Sequence, residues 1–314
     1  MGKIKVTVAI PVYNVQQYIG RCLDSVLSQS LSDIEVIIVD DCSPDQSMRI
    51  VEQYKKVDDR IIIITHKHNK GLMCARKTGY ENAKGDYVFF LDSDDTIPQG
   101  ALECLYKEAL KNNADFVAGR LTYIKPNSID DKSFPCDLRY GNDRISVIKS
   151  TLLWEITHTL CGKLFKKSLF EKGALETLEH YTNGEDGLLY YQLIKNISKV
   201  TCVKSSVYNY YQNSESSTQV KYTKKTLESI IYFYSYRYKV LKEESKIKNI
   251  LDFATVRDLS ILCGMGYSKT TINKLLSNKG IPYKLNLTSI VRYCDIGNAI
   301  KCMVRVYLLS NLRK

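Results

Sequence analysis

No stretch of this 314-residue chain approaches the roughly 20 consecutive apolar residues a helix needs to cross a bilayer, so no membrane span is expected. The N-terminus has no secretory cleavage pattern, and after Met1-Gly2 the position where N-myristoylation asks for Ser or Thr holds Val6. Both absences predict a cytoplasmic protein. None of the ten cysteines forms a Cys-x-x-Cys pair, and several, such as Cys22 beside Leu23, fall on apolar helix faces. They read as reduced core residues, not as disulfides or metal ligands. The chain also lacks an internal repeat and any recognised nucleic-acid-binding motif, which sets nucleic acid aside as a partner.

What is present is a globular composition, 44% hydrophobic, long enough for one large or two medium domains. The net charge of +11 is unevenly spread. Residues 1–100 hold 12 Lys/Arg against 14 Asp/Glu, residues 101–219 hold 15 against 14, and residues 220–314 hold 18 against 6. The last third therefore carries the excess and is expected to meet something anionic, while the front two thirds form an ordinary globular body.

The first 120 residues alternate strand and helix patterns. Strands are expected at 4–10, 34–40, 60–65, 86–91 and 115–118, each rich in Val, Ile or Phe. Apolar residues at 15, 18, 19, 22, 23, 26 and 27 trace a helical face that Asn14 is placed to cap, and further helices fit 45–56, 72–83 and 98–112. Such alternation implies right-handed crossovers and a mostly parallel, Rossmann-like sheet with helices on both faces. Residues 125–145 read as a loop or lid. Beyond them come a helix near 145–155, a strand around 158–165, a helix from Glu185, the strand-like Val200 to Tyr211 and, from about 220, an aromatic helical extension.

Ligands of parallel sheets collect at the carboxyl ends of strands, and three of these ends are unusual. Tyr87-Val88-Phe89-Phe90-Leu91 runs into Asp92-Ser93-Asp94-Asp95, three carboxylates that suit a hard divalent ion such as Mg²⁺ or Mn²⁺, although a solvated helix-capping turn has the same composition. The first strand ends in Ile10-Pro11-Val12-Tyr13-Asn14, offering a ring for a base to stack on, and the second in Val39-Asp40-Asp41-Cys42-Ser43, where Asp40 or Asp41 can accept from an imide or a ribose hydroxyl. Asn69-Lys70-Gly71 opens a helix with Arg76 one turn in, a pattern that suits phosphate. Taken singly, each has a plainer reading as a cap, a core edge or a surface pair.

As an ordered set over residues 4–120 the motifs Pro-x-Tyr-Asn, Val-Asp-Asp-x-Ser, Asn-x-Gly-x-x-x-Ala-Arg and Asp-Ser-Asp-Asp resemble family 2 of the glycosyltransferases, of the bacterial cell-surface polysaccharide type. The resemblance implies the GT-A fold with a nucleoside-diphosphate sugar, UDP-linked by preference, as donor. It implies that Pro11, Tyr13 and Asp40 line the nucleotide site, that Arg76 approaches the diphosphate, that Asp92 faces ribose or metal and that Asp94 binds the metal. Cys42, Met73 and Lys77 depart from the common Gly, Ser and Asn, which touches donor preference more than the reaction. Asn183-Gly184-Glu185-Asp186 places two carboxylates in the first turn of a helix, where the dipole favours the ionised form, although helix starts attract acids generally. By resemblance Asp186 is the base of an inverting transfer, Glu185 orients the acceptor, and Lys163 in Cys161-Gly162-Lys163-Leu164-Phe165 is an acceptor or phosphate contact.

Three divisions follow: 1–120 as the nucleotide-sugar half, 121–219 as the acceptor half and 220–314 as a basic helical extension. Near its end Ile300, Met303, Val304, Tyr307 and Leu308 form an apolar stripe bordered by Lys301, Arg305, Arg313 and Lys314. Such a helix suits an anionic membrane surface or docking on the body, so a glycan acceptor carried on lipid at the inner membrane face is one expectation. Two other classes share the acidic motifs. Asp92-Ser93-Asp94-Asp95-Thr96 looks like the nucleophile motif of haloacid-dehalogenase-type phosphatases, but there the second acidic pair comes later, whereas Asp40-Asp41 comes earlier. A non-catalytic sugar-nucleotide-binding protein would bind donor without transfer.

Overall fold

The structure, a computed structural model, describes residues 2–125, 128–130, 136, 138–171, 175–212 and 223–264. The apolar stripe from Gly297 onward, and part of the lid-like segment at 125–145, lie outside these residues.

The expected alternation forms β1 (Val6–Val12), α1 (Ile19–Leu27), β2 (Ile34–Asp40), α2 (Ser47–Lys55), β3 (Ile61–Thr65), α3 (Leu72–Glu81), β4 (Tyr87–Phe90) and α4 (Ala101–Asn112). Every residue of β1, β2 and β4 is buried, as uninterrupted apolar runs in the middle of a sheet require. The chain continues through β5 (Phe116–Lys125), β6 (Ser128–Asp130), α5 (Arg144–Leu152), β7 (Lys163–Lys166), the short α6 (Ser168–Glu171), α7 (Glu185–Leu193), β8 (Val200–Tyr211), α8 (Lys224–Leu241) and α9 (Lys248–Gly264). The sheet order is β3-β2-β1-β4-β7-β5-β6, with β8 pairing β5 as well. The pairs β1·β2, β1·β4, β2·β3 and β5·β8 are parallel, and β4·β7, β5·β7 and β5·β6 antiparallel. One sheet thus spans both expected halves.

Register positions the site. Val6 lies opposite both Ile34 and Tyr87, and Val12 opposite Asp40, so the segments that follow β1, β2 and β4 emerge on one edge. Alternate residues feed two cores: Val8, Ile10 and Phe89 pack with α1 and α4 on one face, while Ala9, Phe90, Phe116 and Phe165 pack with α3, α7 and α8 on the other.

Two local expectations give way. Asn14 does not cap α1, which begins at Ile19; its φ is +55° and its N–H donates to Ser43 Oγ at 2.9 Å, joining the ends of β1 and β2. The strand expected from 158 begins at Lys163, because residues 157–160 form a loop.

The first part of the extension belongs to the body. Phe233 and Leu241 of α8 and Ile250, Leu251 and Ala254 of α9 are buried in the same core as Tyr190 and Tyr191 of α7. Arg237 Nη1 donates to Asp258 Oδ2 at 2.6 Å and Arg257 Nε to Oδ1 at 2.9 Å, so one buried carboxylate joins α8 to α9. Burial alone would raise the Asp258 pKa, but the charges of Arg257 and Arg237 outweigh it and hold it below the usual value. Asp258→Asn leaves a buried guanidinium without its counter-charge, and a loss of about 3–5 kcal/mol is expected. Urea denaturation measures this; an unchanged midpoint would show that the pair does not hold the extension to the body.

Candidate active site

A cleft of about 690 Å³ opens at the carboxyl edge of β1, β2 and β4, walled by Pro11, Tyr13, Asp92, Asp94, Glu185 and Lys225 among others. Tyr13 is 48% exposed, so its ring presents a free face. Backbone in the left-handed region collects here: Asn14, His180 and Asn183, which line the cleft, and the adjacent Cys42 are four of the six described non-glycine residues with positive φ. Strained backbone of this kind persists where surrounding bonds over-determine it, and such places are often functional.

Those bonds are visible at the end of β2. Asp41 accepts from the backbone N–H of Lys70 at 2.8 Å and of Gly71 at 2.7 Å, and pairs with His66 Nδ1 at 2.7 Å, while His66 Nε2 meets Thr78 Oγ1 at 2.8 Å. Gly71 needs its missing side chain: at φ +89° a Cβ would lie 3.0 Å from the backbone N of His180. Asp41 thus fixes the turn that starts α3. Asp40, named by resemblance for the nucleotide, does not line the cleft; its Oδ1 accepts from Ser43 N–H at 2.8 Å and closes the turn after β2.

The three acids of the loop after β4 part ways. Asp92 and Asp94 line the cleft. Asp95 is turned inward, 1% exposed, accepting from Tyr208 Oη at 2.8 Å and from Tyr211 N–H at 2.8 Å. Burial first, then the charges of Asp94 and Asp92, push the Asp95 carboxyl well above the usual range. The same Tyr208 oxygen accepts from Asp92 N–H at 3.1 Å, and Arg21, 3.8 Å from the Tyr211 ring, donates to the Asp94 carbonyl. β8 and α1 together hold the acidic loop in place.

Arg76 was expected near the diphosphate, but it lies beneath the cleft floor, 1% exposed. Its Nη2 donates to Asp92 Oδ1 at 2.6 Å and its Nη1 to Asp186 Oδ1, joining a carboxylate that lines the cleft to one that is not among the lining residues. Burial works against its charge, and Asp186 and Asp92 outweigh that cost. Lys163 is likewise no cleft residue: it is 2% exposed, donating to Thr157 Oγ1 at 3.0 Å and to the Thr159 carbonyl at 2.7 Å. Burial brings its pKa down to about 8. It holds the 157–160 loop, whose Leu160 N–H donates to Asp186 Oδ2 at 3.2 Å.

Glu185 lines the cleft with its Oε2 accepting from Gly184 N–H at 2.9 Å, and Asp186 keeps 19% of its side chain exposed. Burial raises the pKa of both carboxyls. For Asp186 the Arg76 charge opposes that rise; for Glu185 the neighbouring Asp186 adds to it. This turn needs glycine because α8 presses on it: a Cβ on Gly187 would lie 2.3 Å from Phe233 Cε2.

Several participants carry no sequence signal. The Cys161 thiol donates to Asp92 Oδ2 at 3.2 Å, Tyr208 joins two loop residues, and Lys225 reaches the cleft from α8. Among the described residues no group of three or more His, Cys, Asp and Glu could hold a metal ion by itself. Asp92 and Asp94 remain a fitting pair of hard oxygen donors for Mg²⁺ or Mn²⁺, provided that a bound ligand and water complete the shell.

Residues 7–173 match the family described as glycosyl transferase family 2. The chain belongs to glycosyltransferase family 2. It is similar to glycosyltransferase GlyA of Streptococcus pneumoniae serotype 4, 34% identical over 239 residues that cover 72% of this chain and 33% of GlyA. It is also similar to poly(ribitol-phosphate) beta-glucosyltransferase of Bacillus spizizenii, 31% identical over 211 residues, 66% of this chain and 32% of that protein. The chain thus spans about a third of the length of either relative. The crystal structure of S. aureus TarS 1-349 in complex with UDP-GlcNAc superposes with a TM-score of 0.68 at 18% identity, covering 92% of this chain and 80% of that one. At that identity the likeness is one of fold, and the fold is GT-A, as this family's motifs imply.

Proposed function

We propose that this chain moves a sugar from a UDP-linked donor to a hydroxyl of a bacterial surface glycan, with inversion at the anomeric carbon. One observation carries the reading: Asp92 and Asp186, 94 residues apart in sequence, grip one buried guanidinium under a single cleft with an exposed tyrosine at its rim. That geometry suits a reaction in which a leaving group departs from one side while a base works on the other. Pro11 and Tyr13 receive the base of the nucleotide. Glu185 orients the acceptor hydroxyl, and Asp186 takes its proton as the oxygen bonds to the anomeric carbon and the bond to the diphosphate breaks. Asp92 and Asp94 would hold Mg²⁺ or Mn²⁺, which supplies positive charge to the diphosphate. Arg76 opposes the rise that burial gives the Asp186 pKa and aims the carboxylate, and Lys163 holds the loop behind it.

On this reading residues 1–120 serve the donor and 121–219 the acceptor. The donor assignment draws on the UDP-GlcNAc bound to TarS, and the acceptor on the poly(ribitol-phosphate) of the Bacillus enzyme's name. Among the described residues no helix is long and apolar enough to cross a membrane. A lipid-carried acceptor, met through the basic residues beyond 264, fits the charge of the last third.

The test is a panel of UDP-, GDP-, CDP- and dTDP-sugars with Mg²⁺ or Mn²⁺, scored for slow donor hydrolysis. Release of UDP from a UDP-sugar is the expected result. Donor binding without hydrolysis or transfer would favour a non-catalytic protein, and phosphate release from simple phosphomonoesters the phosphatase reading.

A further inference from the structure

Four of the residues lining the cleft, Asp41, Asp92, Asp94 and Glu185, are acidic. A diphosphate entering such a place needs cations, and the two nearby arginines are engaged elsewhere. Arg76 lies under the floor between Asp92 and Asp186. Arg21 donates to the Asp94 carbonyl and sits against the Tyr18 and Tyr211 rings, 5.0 and 3.8 Å from their centroids. Among the described residues lining the cleft, Lys225 is the single Lys or Arg. It is exposed and forms no ion pair with any described residue.

Its place is fixed by packing. Thr223 Oγ1 accepts from Thr226 N–H at 3.2 Å and sets the start of α8. One turn on, the Ser229 carbonyl accepts from Tyr181 Oη at 2.6 Å, and Phe233 lies against Gly184 and Gly187 beside Glu185 and Asp186. The helix that seals the base-bearing turn therefore also presents a lysine to the opening where the acidic loop lies.

We infer that Lys225 binds the diphosphate of the donor and stabilises the charge that develops on it as the glycosidic bond breaks. This rests on the nucleotide-sugar reading above. It makes α8 a working part of the site, so the basic extension contributes to chemistry as well as to any surface contact. An ammonium on a flexible stem suits this task, since it can follow the phosphate as the bond lengthens.

The test compares UDP, UMP and uridine binding by calorimetry in wild type, Lys225→Met and Lys225→Arg, each checked for an unchanged melting temperature. Loss of one charge-assisted hydrogen bond should weaken UDP by about tenfold to a hundredfold in Lys225→Met, leave uridine unaffected and be largely restored in Lys225→Arg. Donor hydrolysis should lose kcat as well as affinity. Unchanged UDP affinity, or an equal loss for UDP and uridine, would overturn the inference while leaving the nucleotide reading standing. Failure of the wild-type protein to bind UDP, GDP, CDP, ADP or dTDP would remove that reading first, and this one with it.

Discussion

Asp186→Asn should lower turnover by roughly a hundredfold or more, the range that a positioned general base contributes. The substitution is nearly isosteric, and its amide oxygen can still accept from Arg76 Nη1, so the fold should survive. What disappears is the capacity to take a proton, together with the bond that Oδ2 accepts from Leu160 N–H. Binding of UDP should remain close to wild type, because the carboxylate acts on the acceptor. The pH profile gives a second readout. Burial raises the Asp186 carboxyl above its ordinary value and Arg76 pulls it part of the way back. The base must be ionised, so activity falls as pH drops through that raised pKa, and the acid limb should lie above the usual carboxylate range. In Asp186→Asn the residual rate should lose that limb. Glu185→Gln is the companion variant: a raised acceptor KM with a surviving limb fits its orienting role. A normal rate in Asp186→Asn with a collapsed one in Glu185→Gln would exchange the two assignments.

Much of this arrangement was legible because parallel strands carry their own register. β2 spans the expected 34–40 and β8 the expected Val200 to Tyr211, since long apolar or aromatic runs leave little choice of boundary. Once β1, β2 and β4 pair in parallel, Tyr13, Asp41 and Asp92 must meet at one edge. Side-chain destinations were harder. Spacing placed Arg76 one turn into α3 without saying that Leu72 and Ala75 would face the cleft and Arg76 the floor. Lys163 was named a contact by resemblance alone, yet its partners are backbone and hydroxyl groups of a loop four to six residues away. Cys161 resembled any buried cysteine, and Lys225 one lysine in a run of them. Cys161 is set by a contact 69 residues away and the helix that carries Lys225 by one 48 residues away, which no local pattern encodes.

The other large effect is expected from Arg76→Met. The methionine fills a similar volume but leaves Asp92 and Asp186, 25% and 19% exposed, without the cation between them. Removing one partner from a buried ionic cluster costs about 3–5 kcal/mol, so the urea midpoint should fall measurably. Turnover should fall by about a hundredfold to a thousandfold, the scale seen when a preorganised electrostatic group is lost. The direction of the pH effect separates this from general damage. Arg76 lowers the pKa of Asp186, so its removal raises that pKa further, and at neutral pH more of the base is protonated and inactive. The acid limb should move to higher pH, and activity should recover partly as the solution is made more alkaline. Arg76→Lys restores the charge but not the fork that reaches two carboxylates at once, so it should regain stability better than rate. A variant with normal turnover and an unmoved limb would mean that the guanidinium merely fills the floor, and the link between donor and acceptor sides would be lost with it.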